Sequence, residues 1–89
     1  MCSGLEELRQ EIDLIDDKIK ALFDRRMALV LDIGKIKAKG NLPVLDSERE
    51  REIVSRLTAD QEDNMVAATK ILFTALFEAS RSYQLKKLG

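Results

Sequence analysis

An all-α protein is the fold class this sequence predicts, and three observations predict it. Apolar residues recur at helical spacing over long stretches. Only four glycines and one proline occur in 89 residues, with few β-branched residues between the periodic runs, too little to build the turns and strands of a sheet. The runs are separated by just two breaks, a short loop at residues 40–45 that holds Gly40, Asn41 and Pro43, and a polar, acidic turn at 58–64. A chain of this length makes one domain, and a lone copy would bury only a modest core.

The first helix is expected over about residues 5–39. Leu5, Leu8, Ile12, Ile15, Ile19, Leu22, Leu29, Ile33 and Ile36 repeat at alternating steps of three and four, which keeps them on one face. Ser3 is placed to cap it, with Glu6 three residues on at capping-box spacing. Acidic Glu6, Glu7 and Glu11 lie early and Lys35, Lys37 and Lys39 late, matching the helix dipole at both ends. Gly40-Asn41 stops the helix and Pro43 prevents a quick restart. Gly34 is a weak point inside it, tolerable where something packs closely. About 35 residues at 1.5 Å each reach roughly 50 Å, well beyond a small domain's diameter of about 30 Å. A straight helix of that length must protrude, so its stripe needs a second chain to cover it, unless it kinks near Gly34 and folds back.

A second helix is expected over about 47–57, capped by Asp46 or by Ser47 with Glu50, and turning Ile53, Val54 and Leu57 inward. A third is expected over about 63–87, anchored by Val66, Ile71, Phe73, Leu76 and Phe77. No internal repeat divides the chain, which reads as a single domain, 1–89.

Composition removes several function classes. A net charge of −1 and a pI near 5.5 leave no global electrostatic footprint for nucleic acid. No apolar run approaches the ~20 residues needed to cross a bilayer, and no apolar leader follows Met1, so neither a membrane span nor a secretory signal is expected. The single cysteine, Cys2, suits a reducing cytoplasm. The absence of histidine excludes His-based triads, His metal ligands and the usual near-neutral proton shuttle.

What remains is a set of polar residues where the core should be. Arg26 sits at a position that the apolar repeat reserves for the interior. A lone buried charge costs several kcal/mol, so it needs a carboxylate from another helix or an anionic ligand. Lys37 is eleven residues on, within about 20° of the same face and ~16 Å along the axis, so that two long side chains can close on a small dianion. Arg9 is about 25 Å from Arg26 along the axis and cannot join it within one chain. In an antiparallel dimer with a two-fold axis near residue 22, it faces about residue 35 of the partner, beside Lys37. Asp46 and Glu50 are ordinary helix-start acids, but Arg49 in the same first turn is disfavoured by the dipole. On the third helix the line Val66, Thr69, Phe73, Phe77 continues as Ser80 and Gln84, either helix-end polar residues or donors to the same pocket.

Leu8-Arg9, Arg26, Gly34-Lys35-Ile36-Lys37, Pro43-Val44, Asp46-x-x-Arg49-Glu50-Arg51 and Ser80-x-x-x-Gln84 together closely resemble the all-helical chorismate mutases, in register from about Leu5 to Leu88. The resemblance implies a three-helix protomer in an intertwined homodimer. It implies conversion of chorismate to prephenate in phenylalanine and tyrosine biosynthesis, without a cofactor or metal. It implies a site of Arg26, Lys37, Asp46, Arg49, Glu50, Ser80 and Gln84, with Arg9 donated by the other subunit. The family sets its arginines on the two substrate carboxylates, the equivalents of Lys37 and Gln84 at the ether oxygen, and that of Glu50 at the ring hydroxyl. It also raises a fused enzyme of the same pathway as a possible neighbour on a longer chain.

The inventory suits that chemistry. A Claisen rearrangement is unimolecular and needs a folded conformer and donors to the developing charge, not a nucleophile or a proton shuttle. An acceleration near 10⁶ is roughly 8 kcal/mol, and one such donor is worth about 3 to 4. Two other readings stay open at this point. One is elimination of pyruvate from isochorismate on the same scaffold; the other is a non-catalytic helical dimerisation or effector-binding module.

Overall fold

The computed structural model describes residues 3–89 and forms three helices: α1 Ser3–Lys39, α2 Ser47–Thr58 and α3 Asp63–Leu88. No strand occurs among the described residues, so the all-α class holds. Cys2 and the side chain of Ser3, the expected cap, lie outside the described residues.

α1 is continuous over 37 residues and does not fold back at Gly34. The molecule is accordingly elongated, 59 × 28 × 15 Å. The helix ends in a Schellman closure. The N–H of Leu42 donates to the Lys37 carbonyl at 2.8 Å and that of Asn41 to the Ala38 carbonyl at 3.3 Å. The left-handed residue this requires is Asn41, at φ 56°, and not the neighbouring Gly40.

α2 is capped by Asp46, whose Oδ1 accepts the Arg49 N–H at 3.1 Å. Asp46 has the non-helical backbone that a cap needs (φ −131°, ψ 84°), so Ser47 is the first helical residue and no Ser47–Glu50 box forms. The Glu50 side chain is thereby released toward α3. Glu62 caps α3 in the same way, accepting the N–H groups of Asn64 and Met65.

α3 is the central element and packs on both α1 and α2. Val30 and Phe77 are the only buried apolar side chains among the described residues. Val66, Phe73 and Leu76 are half-buried, and the Phe73 and Phe77 rings meet with centroids 6.0 Å apart. Ile71, expected as an anchor, is 74% exposed, because two residues before Phe73 is nearly the opposite side of the helix. The stripe of α1 is open, with Leu8 60%, Ile19 55% and Leu22 63% exposed. Among the described residues no helix is long and apolar enough to cross a membrane.

Candidate active site

Two helical stripes face each other across one cleft of about 270 Å³. Arg26, Val30, Ile33 and Lys37 come from α1 at spacings of four, three and four. Phe77, Ser80, Arg81 and Gln84 come from α3 at spacings of three, one and three. Both sets lie on single helix faces. The first turn of α2 closes the third side with Arg49 and Glu50, and its cap Asp46 completes the rim. The cleft thus gathers seven of the eight positions singled out in the sequence.

Arg26 is half-buried, and its Nη1 donates to Ser80 Oγ at 2.6 Å. Its guanidinium carbon lies 5.9 Å from the Phe77 ring centroid, a cation–π distance. Among the described residues no carboxylate pairs with it. Ser80, itself buried, donates its O–H to the Leu76 carbonyl at 2.7 Å, which leaves its oxygen to accept from Arg26. The neutral hydroxyl orients the arginine without cancelling its charge.

Gln84 is the most buried polar side chain described, and its Nε2 donates to the Val30 carbonyl at 2.8 Å. One of its two amide hydrogens is used there and the second remains. Gly34 makes this approach possible: a Cβ on it would stand 3.2 Å from Gln84 Cγ and 2.6 Å from a Leu88 methyl. The helix glycine therefore marks where α3 closes on α1. Lys37 is held similarly, its Nζ donating to the Val44 carbonyl at 3.1 Å across the loop that the Schellman closure turns back. Two of the three ammonium hydrogens are left over.

Asp46 uses one carboxylate oxygen on the cap of α2, its bland structural role. Arg49 is exposed and stands 3.7 Å from Glu52, a pair screened by solvent. Glu50 is paired with Arg81 of α3 through Oε2, with both side chains roughly a quarter exposed. Arg9 does not reach the cleft. It is 66% exposed and 3.6 Å from Glu6 on its own helix.

Arg81 was missed in the sequence. The signal was present, since it stands four residues after Phe77 and three before Gln84, on the line that already held Ser80. A larger groove of about 650 Å³ between α2 and α3 shares Glu50 and Phe77 but takes nothing from α1. Only the smaller cleft converges cations and a buried amide from three helices. Four cations against two carboxylates give it a net positive lining, which suits an anion. Among the described residues no three His, Cys, Asp or Glu side chains cluster as metal ligands.

Comparison with known proteins follows the same outline. The model of the family chorismate mutase type II matches residues 8–85. The chain is 51% identical over 53 residues to the bifunctional chorismate mutase/prephenate dehydratase of Aquifex aeolicus, covering 60% of this chain and 15% of that protein. It is 40% identical over 57 residues to the chorismate mutase of Methanocaldococcus jannaschii, covering 64% of this chain and 58% of that one. The crystal structure of chorismate mutase from Helicobacter pylori in complex with prephenate superposes with a TM-score of 0.84 at 34% identity, covering 98% of this chain and 99% of that one.

Proposed function

The chain belongs to the chorismate mutase type II family, and from that premise we propose that it catalyses the rearrangement of chorismate to prephenate. One observation carries the reading: a half-buried arginine, Arg26, is oriented by a neutral hydroxyl and, among the described residues, by no carboxylate, in a cleft that also holds Lys37 and Gln84. An unneutralised cation in that setting calls for an anionic ligand, and the substrate of this reaction carries two carboxylates.

The steps follow from what each group has left to offer. Arg26 takes one carboxylate by its planar fork, and Arg49 with Arg9 of the partner subunit takes the other. Holding both ends brings the two reacting carbons together and replaces entropy that the free substrate would lose in the transition state. As the C–O bond stretches, negative charge gathers on the ether oxygen. Lys37 and Gln84, each tied to a main-chain carbonyl by one N–H, direct a remaining N–H at that oxygen. These donors are already aligned, so little reorganisation accompanies the charge shift. Glu50 accepts from the ring hydroxyl.

A second copy of the chain is part of the proposal. A protomer whose buried apolar side chains number two among those described, with Leu8, Leu22 and Ile36 each 60% exposed or more, has its apolar face in search of a cover. Antiparallel pairing of α1 with α1 covers that stripe and carries Arg9 to the far cleft. The chain spans only 15% and 58% of the two curated relatives described above. A fused prephenate dehydratase, as in the A. aeolicus protein, is therefore a natural companion, and a cytoplasmic setting is consistent with the single cysteine.

The test is loss of chorismate absorbance at neutral pH, with products resolved by mass and isochorismate run in parallel. Accelerated formation of prephenate is expected. No acceleration would remove the catalytic reading, and pyruvate release from isochorismate alone would replace it with a lyase.

A further inference from the structure

We propose that Arg81 is a positioning residue of this site: it holds the Glu50 carboxylate by one oxygen and offsets its charge, so that a dianion can occupy a cleft that contains a glutamate. The inference rests on the mutase reading above.

Arg81 Nη1 of α3 donates to Glu50 Oε2 of α2 across 31 residues of sequence. At 28% and 26% side-chain exposure this is the most sheltered ion pair among those described; the other three lie at 60% or more. Both partners line the cleft beside Arg26, Lys37 and Gln84. Glu50 Oε1 accepts no hydrogen bond among the described residues, so it is the oxygen left to receive a substrate hydroxyl. An unpaired Glu50 would also face the two substrate carboxylates at short range and repel them, least screened where solvent is partly excluded. Arg81 removes that repulsion while leaving one acceptor in use. Because α2 itself buries no residue, the pair also sets where its first turn stands against α3.

A plain clamp between helices predicts something different. Ground state and transition state carry the same two carboxylates, so repulsion by a bare Glu50 weakens both equally and enters KM rather than kcat. Arg81→Met should therefore raise KM about tenfold or more with kcat changed less than about threefold. Arg81→Lys, which restores the charge, should recover most of the loss. In a Glu50→Gln background there is no carboxylate for Arg81 to hold, so only the direct attraction of Arg81 for the dianion is left to lose, and Arg81→Met should raise KM clearly less than it does in the parent.

The experiment is steady-state kinetics on chorismate for the parent and these variants, with denaturant midpoints on each. An unaltered KM in Arg81→Met overturns the proposal, as does an equal KM increase in the Glu50→Gln background. Loss of stability in Arg81→Met with no rescue by Arg81→Lys overturns it in favour of the clamp. If the parent protein itself fails to convert chorismate, the mutase reading falls and takes this inference with it. Parent turnover with indifferent Arg81 variants sinks only the inference.

Discussion

Gly34 has no room for a side chain on the face it turns to α3, and that is where a single atom most sharply separates stability from activity. A Cβ there meets Leu88 Cδ1 at 2.6 Å, the far end of a flexible side chain that can swing aside. It also meets Gln84 Cγ at 3.2 Å, and Gln84 is buried and tied to Val30. Gly34→Ala gains roughly 0.8 to 1 kcal/mol of helix propensity and loses a comparable amount in displaced packing. Its denaturation midpoint should stay close to the parent's, while kcat falls about tenfold as the Gln84 amide shifts from its line. Paired melts and kinetics check this; an undiminished kcat would mean that Gln84 does not donate to the reacting oxygen. The direct deletions are more severe. Lys37→Ala and Gln84→Ala should each lower kcat by about 10² or more, since each removes a proposed donor to the developing charge.

At the level of the helices, the proposed catalysis depends on how α1 stops as much as on what it carries. The Schellman closure at Asn41 folds the chain back so that the Val44 carbonyl receives Lys37. Asn41→Ala places an ordinary side chain at φ 56° and should cost about 1 kcal/mol in unfolding free energy. Asn41→Gly keeps the turn at little or no cost. Kinetics on the two variants separate fold from site. Asn41→Ala should also lower kcat, through a loosened Lys37, whereas Asn41→Gly should leave it near the parent value. The helix starts carry a similar division of labour. Asp46 supplies the cap of α2 and frees Glu50 from that duty, so the carboxylate can cross to α3.

For the whole molecule the governing quantity is apolar surface. With Val30 and Phe77 the only buried apolar side chains described, one protomer holds little hydrophobic stabilisation. Stability should therefore rise with protein concentration, and thermal midpoints measured over a hundredfold dilution series should fall as the chain is diluted. An invariant midpoint would rule out a folded dimer coupled to unfolding. The proposed sharing of the site between two copies makes a stricter prediction. Arg9→Ala and Arg26→Ala are each expected to be inactive, yet every mixed dimer holds one cleft with Arg26 intact and the partner's Arg9 intact. Equal mixing with random exchange should then restore about a quarter of parent activity. Failure, with exchange verified by mass, would show that Arg9 serves its own chain or none.

Much of this was legible in order along the chain. The three helices follow from apolar period and two breaks, one at Gly40-Asn41 and Pro43 and one in the polar stretch 58–64, because local spacing alone decides which residues share a helix face. Arg26 stood out because a charge interrupts an apolar repeat, and Ser80 and Gln84 because polar residues continue an apolar line. Tertiary structure alone decided what those residues touch. That Ser80 rather than a carboxylate meets Arg26, that Gly34 admits Gln84, and that Arg81 answers Glu50 are contacts between residues 31 to 54 apart. Periodicity assigns a residue to a face; the partner across the cleft depends on how the helices pack, and no local spacing encodes that.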